Sequence, residues 1–137
     1  MDGKYDISMP IPKNDFIYDC KSLYRDSDYF TDISYRDLMV SSSKQPNLTK
    51  WHYLYKFAHE CSTVDNKTNK NGRRILIIGD SQMIPLVTMM SIYFEHITYI
   101  DNRKKIPILN KINDIDYTDC IVNLFMTNIR TLQNYII

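Results

Sequence analysis

Arg74-Ile75-Leu76-Ile77-Ile78-Gly79-Asp80-Ser81-Gln82 is the stretch whose reading decides the fold. Its apolar run shows no alternation with polar residues, which predicts a strand covered on both faces, as in a parallel sheet. A glycine closes the run. A helix is expected next, from about Met83 to Glu95, apolar nearly all round through Leu86, Val87, Met89, Met90, Ile92, Tyr93 and Phe94. Such a helix should have both faces covered. Pro85 falls in its first turn, where a missing N–H is tolerated.

Downstream, the alternation continues. Ile97 to Ile100 reads as a second strand, closed by Asp101-Asn102-Arg103, and Pro107 to Ile112 as a short helix. Cys120 to Met126 reads as a third strand and Asn128 to Tyr135 as a last helix. Strands and helices joined by short links imply a three-layer α/β domain with a mainly parallel sheet over residues 73–137.

Upstream, residues 1–72 are rich in Tyr and Asp and weakly periodic, an irregular region packed on that domain or extending it. Asp15 to Cys20 suggests a strand, and Ile33 to Val40 an irregular strand or short helix. Thr49 can cap a helix over about 50–61, where Trp51, Leu54, Tyr55, Ala58 and Cys61 recur at helical spacing. Asp65 to Gly72 reads as a mobile, exposed polar link.

At 137 residues and 44% apolar composition, the chain is long and apolar enough to bury a core. Seventeen basic residues against 16 acidic ones argue against a sequence-independent grip on nucleic acid. No apolar run approaches the ~18 residues of a membrane span. Asp2, Lys4 and Asp6 stand where a signal peptide has its apolar stretch, so a cytoplasmic chain is the default expectation unless this is a fragment of a longer exported protein. Cys20, Cys61 and Cys120 lie far apart and give no metal-ligand spacing, so reduced thiols, no metal and no cofactor are expected. His52 and His59, seven residues apart with no third ligand near them, do not alter this. The oligomeric state is not encoded legibly.

In an open parallel sheet, ligands bind beyond the carboxyl ends of the strands. Three expected strand ends carry polar groups there: Gly79-Asp80-Ser81-Gln82, Asp101-Asn102-Arg103, and Thr127-Asn128 with Arg130. Ser81 reads as a nucleophile, as a cap of the following helix, or as a phosphate contact. Asp101, about twenty residues after Gly79, stands where dinucleotide-binding folds hold a ribose-binding acid; it is equally placed to pair with Arg103 at the sheet edge. His96, just past the helix, is expected to meet its last carbonyls.

Gly79-Asp80-Ser81 resembles the Gly-Asp-Ser block of SGNH/GDSL hydrolases. With the Tyr93 to Arg103 stretch (Y-F-E-H-I-T-Y-I-D-N-R), it looks most like the SGNH-like domains of polysaccharide, alginate-type O-acetyltransferases. The resemblance spans roughly residues 73–126. It implies a flavodoxin- or SGNH-like three-layer fold and an esterase or O-acetyltransferase acting on a carbohydrate or cell-surface polysaccharide. Ser81 would then be the nucleophile, with Gly79, Asp80, Gln82, Asp101, Arg103 and Asn128 lining the oxyanion and substrate site. The histidine motif of that family is missing, since no histidine follows His96 and neither His52 nor His59 lies in an Asp-x-His string. His52 is the first histidine to consider as the base. A noncatalytic binding or assembly module with a degenerate site, and a nucleotide- or phosphate-binding domain, are the other readings.

Overall fold

The computed structural model describes residues 15–23, 28–35, 61–103 and 112–124. Within them the chain builds one six-stranded sheet. Strand β1 is Ile17–Ser22, β2 Asp28–Ser34, β3 Cys61–Asn66, β4 Arg74–Gly79, β5 His96–Asp101 and β6 Asp119–Asn123. Their spatial order is β2-β1-β3-β5-β4-β6. The β1 strand runs antiparallel to both β2 and β3, and β3 antiparallel to β5. Only β5, β4 and β6 are mutually parallel.

The sheet is therefore mixed, and the expected three-layer, mainly parallel α/β fold is not what forms. Two features overturn it. The upstream half contributes strands to the same sheet, and helix is scarce among the described residues: one 3-10 turn, Ser81–Met83, one helix of seven residues, α1, Ile84–Met90, and single helical residues at Tyr35 and Ile112. That helix is also less covered than its composition suggests. Ile84 and Val87 are buried, whereas Met89 is exposed and Tyr93, in the turn beyond, is more so.

Alternation along β4 sorts its side chains onto two unequal faces. Ile75 and Ile77 join the larger core with Tyr18, Val64, Val87, Phe94, Ile97 and Tyr99. Leu76 and Ile78, half-buried, pack on a smaller cluster of Cys61, Ile100 and Ile112. So β4 is fully covered on one side only, in contrast to the expectation from its unbroken apolar run.

The stretch expected to be a mobile link is a hydrogen-bonded strap. Asp65 and Asn66 belong to β3. From Asn66 onward, three asparagine amides donate to successive carbonyls past α1: Asn66 Nδ2 to Ser91 O (2.9 Å), Asn69 Nδ2 to Ile92 O (3.0 Å) and Asn71 Nδ2 to Tyr93 O (2.9 Å). Carbonyls at a helix end lack intrahelical partners, and these amides supply them. The Ser91 hydroxyl adds a bond to Thr88 O at 2.7 Å. This arrangement ends the helix at Met90 instead of Glu95. Gly72 turns at φ +76°, in the left-handed region that glycine enters without strain, and its N–H meets Glu95 Oε2 at 2.8 Å.

The helix expected over 50–61 falls outside the described residues except at Cys61, which is a strand residue. The expected helix over 128–135, and all but the end of that over 107–112, also lie outside them. Among the described residues no helix is long and apolar enough to cross a membrane.

Candidate functional site at the carboxyl edge of the parallel strands

Parallel register brings three strand ends together. Gly79 at the end of β4 is paired with Asp101 of β5 on one side and with Asn123 of β6 on the other. The Asn102 N–H donates to Gly79 O at 2.9 Å, carrying the pairing one residue past the strand. Whatever leaves β4 must emerge between the tips of β5 and β6, and what emerges is Asp80-Ser81.

The turn is fixed from below and from within. Asp80, buried, is its cap: a carboxylate oxygen accepts the Gln82 N–H at 3.0 Å. The Asp80 carbonyl accepts the Met83 N–H at 3.0 Å and the Tyr99 hydroxyl at 2.8 Å. Tyr99 is wholly buried, and burial raises its phenol well above the usual range, so it stays a neutral donor. Capping thus belongs to Asp80 and not to Ser81. Ser81 is half-buried, and among the described residues nothing bonds its hydroxyl or accepts its backbone N–H. Gln82 is exposed, but its backbone N–H is committed to Asp80.

Met83 closes the turn over Gly79. A Cβ added at Gly79 would lie 2.4 Å from Met83 Cγ and 3.0 Å from the Asn123 carbonyl oxygen. Asn123 in turn holds Met83, its Nδ2 donating to Met83 Sδ at 3.2 Å. Met83 therefore occupies the space over the glycine that a pyrophosphate would need for close backbone approach.

At the neighbouring tip, Asp101 is 1% exposed and meets the Arg103 side chain with both carboxylate oxygens: Nε at 2.8 Å from Oδ1, and a terminal guanidinium nitrogen against Oδ2. Oδ1 also accepts the Arg103 backbone N–H at 3.0 Å. Hydrogen bonding to Asp101 raises the Arg103 pKa further, keeping the guanidinium charged. The acid that stands where a ribose-binding acid is expected is occupied by its own neighbour.

Five of the residues singled out from sequence, Gly79, Asp80, Ser81, Asp101 and Arg103, therefore meet at this edge, with Gln82 beside them. The third tip is Asn123, where β6 ends. Asn128 and His52 lie outside the described residues. Asn123 was legible in principle, as the one polar residue interrupting the run Cys120 to Met126. Asn102, buried between the tips, was named only as part of a polar triplet.

His96 is not part of this edge. It opens β5, at the end of the strand remote from Asp101. Instead of meeting helix carbonyls, its Nδ1 lies 2.6 Å from Asp65 Oδ1 and its Nε2 2.9 Å from Thr98 Oγ1. Tyr117 completes the chain by donating to Thr98 Oγ1 at 2.8 Å.

No protein-family model and no curated protein matches the chain. Solved structures do resemble it. A DHHW family protein from Eubacterium siraeum superposes with a TM-score of 0.54 at 21% identity, over 83% of this chain and 36% of that one. Bacillus cereus PatB1 gives 0.56 at 16% identity, over 84% of this chain and 37% of that one. PatB1 with a sulfonyl adduct gives 0.55 at 16% identity, covering 82% and 39%. The chain thus spans less than two-fifths of the length of these structures. At such identities the likeness is one of fold. It corrects the resemblance drawn from the Gly-Asp-Ser block: the match is to these proteins through a six-stranded mixed sheet, not to a three-layer SGNH hydrolase fold.

Proposed function

We propose that the edge formed by Gly79, Asp101 and Asn123 is an acyl-ester site, with Ser81 as its nucleophile and an O-acetylated carbohydrate as its substrate. The observation that carries this reading is the placement of Ser81. It leaves a capped turn between two polar strand tips, and among the described residues its hydroxyl and its own N–H are uncommitted. A capped turn that holds a serine between two strand tips provides the positioning that nucleophilic catalysis requires.

In the proposed reaction the Ser81 oxygen adds to the acyl carbon and its proton passes to a base, for which His52 is the candidate. The negative charge developing on the carbonyl oxygen is met by the Ser81 N–H and by the second hydrogen of the Asn123 amide. Collapse expels the sugar alkoxide, which takes the proton back as an alcohol. The acyl group left on Ser81 then passes to water or to another sugar hydroxyl. The sulfonyl adduct on the PatB1 neighbour supports the choice of probe, because sulfonyl electrophiles react with nucleophilic side chains.

The test is to treat the folded chain with a sulfonyl fluoride or a fluorophosphonate and locate the added mass by peptide mapping. Turnover of p-nitrophenyl acetate is followed in parallel. Labelling at Ser81, lost in Ser81→Ala and slowed at least tenfold in His52→Ala, is the expected result. A folded chain showing neither label nor turnover would instead support a noncatalytic binding module. Two observations favour that second reading: the Gln82 N–H is spent on Asp80, and Arg103 is spent on Asp101.

A further inference from the structure

The opposite end of the sheet carries a second cleft, of about 280 Å³, built where β4 and β5 begin and β3 ends. Its charged lining consists of Asp65, Lys70, Arg74, Glu95, His96 and Asp114, with Ile115 as an apolar neighbour. The length of β4, from Arg74 to Gly79, separates it from the Ser81 edge, roughly 16–17 Å along the sheet at ~3.3 Å per residue. It is a different place with different chemistry.

Four of the six charged or titratable groups are already matched. His96 Nδ1 lies 2.6 Å from Asp65 Oδ1, and Lys70 Nζ lies 3.7 Å from Glu95 Oε1. The two left over are of opposite sign. Among the described residues the Arg74 guanidinium has no hydrogen bond or ion pair, and the Asp114 carboxylate has none either. A simple anion would satisfy Arg74 but face the carboxylates; a simple cation would satisfy Asp114 but face Arg74 and Lys70. A molecule carrying both charges satisfies both groups. The cleft lies just below the ~300–1,000 Å³ of pockets for drug-sized ligands, so the occupant must be compact.

We infer that this cleft binds a free α-amino acid or a comparably small zwitterion, its carboxylate on Arg74, its ammonium on Asp114 and its side chain toward Ile115. The inference is independent of the Ser81 reading and stands or falls without it. A guanidinium forms paired bonds with a carboxylate, and a carboxylate accepts readily from an ammonium, so each end has a suitable partner.

The experiment is an NMR titration of the full chain with L-alanine, with acetate and methylammonium as the two single-charge controls. L-Alanine should shift the amide resonances of Arg74, His96, Asp114 and Ile115 saturably, leaving those of 79–82 in place. Each control should bind at least tenfold more weakly. Arg74→Gln and Asp114→Asn should each weaken L-alanine at least tenfold, with amide spectra that are otherwise those of the folded chain. Acetate binding as well as L-alanine would make this a plain anion site and overturn the inference. So would the absence of any saturable shift, or unaltered affinity in either folded variant. The comparison of the three ligands on the unmodified chain decides the matter even if a variant fails to fold.

Discussion

Met83 Cγ stands 2.4 Å from where a Cβ on Gly79 would be, so the last residue of β4 and the last residue of the following turn exclude each other's growth. Relief is only partial if Met83 rotates, because its Cβ and the Asn123 backbone oxygen would each still be 3.0 Å away. Gly79→Ala should therefore destabilise the chain by about 1–3 kcal/mol through overpacking. Adding Met83→Ala should recover part of that loss and not all of it. Thermal unfolding of the single and double variants checks this; a Gly79→Ala chain as stable as the original would mean that the turn is looser than described.

The strap between β3 and β4 offers an internal comparison. Asn66 is 1% exposed and uses its side chain three times, donating to Ser91 O and accepting from the Thr68 and Asn69 N–H groups. Asn71, on the surface, donates once to Tyr93 O and accepts once from the Arg73 N–H. Losing several buried partners leaves groups unsatisfied, whereas at the surface water replaces them. Asn66→Ala should cost about 2–4 kcal/mol and Asn71→Ala less than about 1 kcal/mol, measured by urea unfolding. Equal effects would contradict the burial difference.

These asparagines also show where the sequence was legible and where it was not. Strands β4 and β5 were readable because Ile75–Ile78 is an apolar run and Ile97–Ile100 is rich in β-branched and aromatic residues, although the β4 run did not show that only one of its faces is fully covered. Strand β3 was not, since Ser62, Thr63, Asp65 and Asn66 look like a loop and become a strand only between β1 and β5. Ser62 and Asn66 are buried because neighbouring strands cover them. The Asn-rich stretch after it reads as a flexible link because its partners, the carbonyls of Ser91 to Tyr93, are set by tertiary structure. At the candidate site, Gly79, Asp80, Ser81 and Asp101 could be placed from strand ends alone. Asn123 could not, since Leu124 to Met126 extends the apolar run past the point where pairing stops.

Buried phenols make the fold sensitive to alkali. Tyr18 and Tyr99 are both wholly buried, and desolvation raises both pKa values well above 10. Tyr35 and Tyr117 are raised as well, again chiefly by burial. A group whose folded pKa is raised contributes its full stabilisation below the unfolded pKa and loses it as pH climbs toward the folded one. Stability should thus be indifferent to these tyrosines below about pH 10 and fall above it, where unfolded phenols ionise. Tyrosinate absorbance near 295 nm should appear in two stages, the buried group only with loss of circular dichroism. Full ionisation of all 11 tyrosines before unfolding would refute the assignment.

The three cysteines should separate cleanly by reactivity. Cys20 is buried, and burial followed by the nearby charge of Asp65 pushes its thiol up to about 12. Cys61 is buried between β1 and β5, while Cys120 is exposed on β6. The thiolate is the reacting species, so the raised thiol of buried Cys20 is disfavoured, and access favours Cys120. Ellman's reagent should titrate one thiol promptly in the native chain, the prompt thiol should vanish in Cys120→Ser, and the other two should appear only in denaturant.

The last test concerns the hydrogen bond that supports the Ser81 turn from beneath. Tyr99 Oη donates to Asp80 O at 2.8 Å, and that carbonyl also accepts from the Met83 N–H. Removing the hydroxyl in Tyr99→Phe leaves the carbonyl still bonded to the Met83 N–H, so the stability loss should be modest, about 0.5–1.5 kcal/mol. The effect on the site should be larger in proportion, because Asp80 fixes where Ser81 emerges and small displacements of a reacting group reduce rates steeply. Ser81 labelling by a sulfonyl fluoride should slow several-fold under conditions where both chains are fully folded. Slowing without a change in folded fraction identifies Tyr99 as a positioning residue, whereas labelling that merely tracks the folded fraction would leave it a core residue with no part in the site.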